Sequence, residues 1–415
     1  MFKFSSRKLV ALMLVLVFMF SLVGCGKTGD NGNGGTEQPE APAEPIKIGF
    51  IGSKTGALSA YHQQSARGLE LGLDYVTNGT GKIAGREVII IEEDDEGKPD
   101  VAKDKVVKLL EENKVDFIIG CESSTSAIAI APLAEEYETI FVIDPAVADA
   151  LVADSWNRFL FKTGRSSGQD AAASAAAIAK PGVKIATLAQ DVAFGRDGVA
   201  AFKREAEKLG AEIVAEEYSP MTATDWTANI QKIIAADPDY LWVVWAGGVT
   251  PWKQIADLQV ADKHGIKLST GAPDQAALAF MTDAIGMQGM CVYHPNLPQS
   301  AEAKKIHDWF LDEHKKRFNG DLPDLFTPAG FNMISAIATA VEEAGGVTDA
   351  ETLIPIMEGM KFPTPKGTFE FRKEDHLALQ PLYVIELVMG EKIPEPKLIR
   401  ELSPSETEPP ILNGK

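Results

Sequence analysis

From Ile46 onward the apolar positions follow two rhythms: short unbroken runs, and longer stretches in which apolar residues recur every three or four positions. The run "IKIGFIG", Ile46 to Gly52, has the pattern of a parallel strand covered on both faces. In the following "SKTGALSAYHQQSARGLELGLDYVTNG", Ala66, Leu69, Leu73 and Val76 recur at helical spacing, and Asn78-Gly79 marks the stop. "REVIIIEEDD", "VDFIIG" and "TIFVIDP" read as strands, with "DVAKDKVVKLLEENK" and "SSTSAIAIAPLAEEY" as the helices between them. The alternation resumes after Gly168 with strands "VKIATLAQD", "AEIVAEEYS", "DYLWVVWAGG" and "IKLSTGAP", separated by helices "GRDGVAAFKREAEKLG", "WTANIQKIIAADP" and "TPWKQIADLQVADKHG". This order predicts an α/β protein of two doubly wound parallel-sheet lobes. Such sheets bind ligands at the carboxyl ends of their strands, here "IGSKTG", "EEDDEG", "IGCESS", "IDPAVA", "AQDVAFG" and "WAGG".

The first residues break the pattern. Lys3, Arg7 and Lys8 precede an uncharged apolar run from Leu9 to Phe20, shorter than the roughly 20 residues a membrane span needs, so residues 1–24 read as an export signal. "LVGC" ends it as a lipoprotein signal ends, which makes Cys25 the expected lipidated N-terminus, and residues 25–45 hold little that could enter a core and read as a flexible tether. The expected location is therefore extracytoplasmic, on a membrane-anchored lipoprotein. Loss of residues 1–24 moves the formal charge from -19 to about -22, which excludes the clustered basic surface that nucleic acid demands.

Cys121 and Cys291 show no metal or disulfide spacing, and the histidines lack the arrangement that puts two imidazoles on one helical face, so no metal site is expected. "GSKTG" does not complete a phosphate-loop pattern and reads as a strand-to-helix turn; "EEDDEG" lacks calcium-loop spacing and reads as a solvated strand end. "GRSSG", Gly164 to Gly168, matches a serine-nucleophile elbow with Ser166 as nucleophile, the mark of an esterase, but no later histidine sits in a block resembling a triad partner. Alternation places Trp242 and Trp245 on opposite faces of one strand, with Trp245 nearer the cleft.

Four blocks in this order, "IKIGFIGSKTGALSAYHQQSARGLELGLDYV", "IIGCESSTSAIAIAPLAEE", "DVAFGRDGVAAFKREAEKLGAEIVAEEYSPMTATDW" and "TPKGTFEFRKEDHLALQPLYVIEL", resemble the branched-chain amino acid (leucine/isoleucine/valine) binding proteins over Ile46 to about Met389. The resemblance implies the periplasmic-binding-protein type I fold and a monomeric solute-binding protein of an ABC importer. It would bind a hydrophobic amino acid, an aromatic carboxylate or an amide and deliver it to a permease, with no catalysis and no cofactor. It also implies a hinge of three crossings, near Lys162–Gly164, Val292–Pro295 and Pro365–Gly367. Lobe 1 is then 46–163 with 293–366, lobe 2 is 164–292 with 367–400, and 401–415 is a tail. "GRSSG" then starts the first helix of lobe 2, with Ser167 as N-cap and Asp170 facing the same free amides. By the same resemblance, Ser123 and Ser124 hold a ligand carboxylate and Ala146 offers a carbonyl. Ala148 stands where relatives have a threonine, Tyr61 and Phe194 stand where relatives cover the apolar part of the ligand, and Asp274 meets an ammonium; Trp245, brought toward the cleft by alternation alone, is a further candidate to cover that part. A sensor subunit of a receptor system shares these features.

Overall fold

In the computed structural model the described residues are 44–247, 250–271, 274–279, 281–297 and 300–414. The export signal, Cys25 and nearly all of the tether lie outside them.

The first lobe opens with β1 (Ile46–Gly52), α1 (Ser59–Val76), β2 (Lys82–Ile83), β3 (Arg86–Asp94), α2 (Pro99–Lys108), β4 (Phe117–Gly120), α3 (Ser124–Glu136), β5 (Ile140–Ile143) and β6 (Leu160–Lys162). Its sheet runs β2-β3-β1-β4-β5-β6, parallel except for the β2–β3 hairpin. β1 is buried along nearly its whole length, as its unbroken apolar run requires of a central parallel strand.

The chain then enters the second lobe through α4 (Ser167–Ile178), β7 (Lys184–Gln190), α5 (Ala193–Lys208), β8 (Glu212–Ser219), α6 (Thr227–Ala235), β9 (Tyr240–Val244), α7 (Trp252–Asp257), β10 (Lys267–Thr270), α8 (Gln275–Leu278) and β11 (Gln288–Cys291). The parallel sheet β10-β9-β7-β8 separates two apolar clusters. Leu241 and Val243 pack with Trp226, Ile230 and Ile233 on one face, while Trp242 and Val244 pack with Phe202 and Ala175 on the other, the alternation of a pleated strand. α7 ends earlier than the sequence pattern implied: Gln259 turns left-handed at φ 53°, and Val260 N–H bonds back to Ile255 C=O, a helix-terminating motif.

The chain returns with α9 (Ala301–Arg317), α10 (Thr327–Glu343), α11 (Ala350–Met357), β12 (Lys361–Thr364), β13 (Gly367–Phe371), β14 (Ala378–Leu379), β15 (Leu382–Met389) and β16 (Pro394–Leu402). α10 lies directly on α1. A Cβ at Gly330 would stand 1.9 Å from the Ser65 carbonyl oxygen, so only glycine permits that approach. β13 corrects the expected third crossing. It forms a hairpin with β12, and Phe369, Phe371 and Ala378 join the apolar cluster of the first lobe. The crossing falls instead between β14 and β15, after which β15 and β16 form a sheet with β11. The expected tail boundary at residue 401 also shifts, because β16 runs through Leu402, whose side chain is buried.

Candidate functional site

The turn after "RFLFKT" is a helix start, one residue earlier than expected. Ser166, not Ser167, is the N-cap of α4: its Oγ accepts Gln169 N–H at 3.3 Å and Gln169 Oε1 accepts Ser166 N–H at 3.0 Å, a reciprocal capping box. Ser166 is fully buried and its hydroxyl caps the helix, so no exposed nucleophile stands at this serine. Asp170 is not spent on the helix amides either. Both its oxygens accept from Arg165 Nε, at 2.8 and 3.1 Å.

Arg165 matters because it lines a cavity of about 240 Å³ between the lobes. Tyr61, Ser123 and Ser124 contribute from the first lobe, and Arg165, Phe194 and Trp245 from the second. Sequence reasoning passed over Arg165 although it sits inside the "GRSSG" stretch. The signal was a cation placed between the end of β6 at Lys162 and a nearly uncharged helix. Among the described residues its Nη groups have no hydrogen-bond partner, and its guanidinium lies 5.6 Å from the Phe326 ring centre.

The two serines face the cavity from the start of α3. Ser123 is its N-cap, with Oγ accepting Ser126 N–H at 3.2 Å. Ser124 Oγ accepts Val147 N–H at 3.1 Å and Ala148 N–H at 3.2 Å. Each hydroxyl thus accepts from backbone amides, Ser123 from one and Ser124 from two, and keeps its O–H to donate. Together with the first-turn amides and the helix dipole, this end of the cavity favours an anion.

Tyr61 packs on Phe326 with ring centres 4.4 Å apart, and Trp245 meets Trp226 edge-on at 5.2 Å. Trp242 points the other way and stacks on Phe202 at 4.0 Å. Three expected residues lie off the cavity wall. The Ala146 carbonyl accepts the Lys162 ammonium, Ala148 is fully buried with its N–H on Ser124, and Asp274 caps α8 by accepting Ala277 N–H at 2.7 Å. Asp274 faces the other lobe's Asp324, whose carboxyl is pushed up to about 6 by burial and by that neighbour.

The remaining carboxylate at the wall, Glu122, is also engaged. It accepts Ser53 N–H at 2.7 Å and pairs with His62 Nδ1 at 3.1 Å, while Glu92 meets His62 Nε2 at 2.6 Å. Burial opposes charge on His62, but the two carboxylates hold its imidazolium above the ordinary range. The acidic "EEDDEG" braces the neighbouring turn: Asp95 accepts from Ser53 Oγ at 2.7 Å and Asp94 from Thr55 Oγ1 at 2.8 Å.

Behind Arg165 lies the hinge. Lys366 Nζ donates to Gln380 Oε1 at 2.7 Å, and Asp144 accepts from Thr163 Oγ1 and Asn332 Nδ2 at 3.2 and 3.3 Å. Burial lowers Lys162 to about 8 and, with Arg165 beside it, Lys366 to about 7.

Two lobes that enclose a small cavity at the ends of their strands define a solute-binding protein, in which closure rather than chemistry is the working step. The profile of the periplasmic binding protein family matches residues 45–392, and the chain belongs to that family. It is an extracytoplasmic binding protein of the kind that serves ABC transporters, not an enzyme. Among solved structures it is similar to an ABC-type branched-chain amino acid transporter protein from Rhodopseudomonas palustris CGA009, with 44% identity, 89% of this chain and 100% of that one covered, and a TM-score of 0.78. It is also similar to an ABC transporter solute-binding protein from Rhodopseudomonas palustris BisB5 solved with 3,4-dihydroxybenzoic acid, with 26% identity, coverage of 86% and 97%, and a TM-score of 0.74. Among curated proteins, a Leu/Ile/Val-binding protein homolog of Brucella melitensis biotype 1 is 21% identical over 363 residues, 85% of this chain and 90% of that one. Among the described residues no helix is long and apolar enough to cross a membrane.

Proposed function

We propose that the ligand is a compact carboxylate with an apolar, ring-sized body, such as a benzoate, rather than a free α-amino acid. Arg165 is the observation that carries this reading: a guanidinium in the cavity wall with only its Nε engaged, complementing the hydroxyls and amides at the start of α3. An α-amino acid also brings an ammonium. Of the carboxylates lining the cavity among the described residues, Asp170 is held by Arg165 and Glu122 by His62 and Ser53, and Asp274 lies off the wall. Tyr61, Phe194, Trp245 and Phe326 supply aromatic surface for the ligand body. The cavity is below the roughly 300–1,000 Å³ typical of drug-sized ligands, which suits a single ring. The relative of known structure solved with 3,4-dihydroxybenzoic acid supports the same class.

In this reading the loaded protein, a monomer, docks on an ABC permease. A lipid on Cys25 and the tether to residue 45 keep it near the membrane and raise its local concentration there. A thermal-shift panel tests the ligand class. A ligand at a hundred times its dissociation constant adds about 2.7 kcal/mol to stability. Benzoate and hydroxybenzoates are expected to raise the melting temperature while leucine and valine do not; the reverse pattern refutes the proposal.

A further inference from the structure

We propose that closure is set by a clasp at the mouth of the cleft, made of contacts between the lobes themselves, and that Gly247 is its positioning residue. Gly247 N–H, just beyond β9 in the second lobe, donates to Tyr61 Oη of the first lobe at 3.0 Å. Nearby, Gln275 N–H at the start of α8 reaches the two Asp324 carboxylate oxygens at 3.1 and 3.3 Å, and Gln275 Nε2 reaches the Pro323 carbonyl at 3.4 Å. Asp324 is held in place from its own lobe. It accepts Leu325 N–H at 2.7 Å and Gln64 Nε2 at 3.1 Å, while its own N–H donates to Thr327 Oγ1 at 2.8 Å. The receiving half of the clasp is therefore fixed by contacts within the first lobe, and the second lobe supplies the backbone N–H donors.

Gly247 fits this role for two reasons. Its backbone is left-handed, at φ 59°, and a Cβ there would stand 2.4 Å from the Ala57 carbonyl oxygen and 2.7 Å from Leu58 Cδ2. The first of those atoms is backbone and cannot swing aside, so any side chain at 247 holds the lobes apart. Gly247 is not among the residues lining the cavity, so a position without ligand contact limits how far the cleft shuts. A ligand gains affinity only through the closed population, and whatever makes that population scarcer weakens binding in proportion.

The proposal rests on the reading of this chain as a closing solute-binding protein. X-ray scattering and calorimetry on Gly247→Ala and Gly247→Asn test it, with benzoate as probe. Asn tolerates the left-handed backbone but still carries a Cβ, so it separates strain from the clash. Gly247→Asn is expected to keep the melting temperature of the unliganded protein, and both variants to scatter as a larger particle than wild type and to bind benzoate at least about tenfold more weakly. Wild-type scattering and affinity in both variants, or a loss in Gly247→Ala that Gly247→Asn lacks, overturns the clasp. If wild type ignores benzoate, the ligand proposal fails, while the ligand-free scattering difference still decides the clasp.

Discussion

Replacing Arg165 by glutamine and Asp170 by asparagine together takes the cation out of the cavity wall without stranding a buried carboxylate. In the native protein Asp170 is bound through Arg165 Nε at 2.8 and 3.1 Å, and both Nη groups remain for the ligand. A hydrogen bond between charged groups contributes about 1.5–3 kcal/mol, so losing a two-pronged grip removes about 3–6 kcal/mol of binding. The α3 amides and the Ser123 and Ser124 hydroxyls still hold the carboxylate, which puts the expected loss at the lower end, about a hundredfold in dissociation constant. Calorimetric titration with benzoate measures it, and the melting temperature of the unliganded variant checks that the fold survives. An affinity within about threefold of wild type refutes the role given to Arg165.

Ser166→Ala should cost about 0.5–2 kcal/mol of stability through loss of the capping box, read from denaturant unfolding, and wild-type protein should resist a fluorophosphonate probe; covalent labelling of Ser166 contradicts both. Lys366 has its folded pKa lowered to about 7, from 10.5 in the unfolded chain, so the unfolded state holds the extra proton between these values and stability due to this residue rises with pH across that window. Lys366→Met should therefore gain most over wild type near pH 7 and lose that advantage toward pH 10.5; a melting-temperature difference independent of pH rejects the assignment. Cys25→Ala should move the protein from the membrane to the soluble fraction of cells, and continued membrane association removes the lipid-anchor proposal.

The strands were legible because burial on both faces leaves an unbroken apolar run. "IKIGFIG" became β1 residue for residue, and "VKIATLAQD" and "DYLWVVWAGG" contain β7 and β9. The blocks carrying the family resemblance pointed to the cavity wall at Tyr61, Ser123, Ser124 and Phe194, and strand alternation pointed to it at Trp245. What escaped depended on tertiary placement. Arg165 becomes a cavity residue only because the chain crosses the hinge beside it, and Asp274 leaves the wall because the amides of α8 claim its carboxylate. The β12–β13 hairpin had a local sign that alignment to relatives overrode. "KFPTPKGTFEF" places Pro365-Lys366 between two short alternating runs, the spacing of a two-residue turn. Ser166 took the cap because Gln169, three residues on, could answer it, whereas Asp170 was drawn to Arg165.

The most direct test of the ligand reading is a crystal structure of the protein with benzoate. The account predicts a closed cleft with the ring between Tyr61 and the second-lobe aromatics, and the carboxylate between the Arg165 Nη groups and the start of α3. A benzoate whose carboxylate turns away from Arg165, or a cleft holding an amino acid with its ammonium on Asp170 or Glu122, contradicts it.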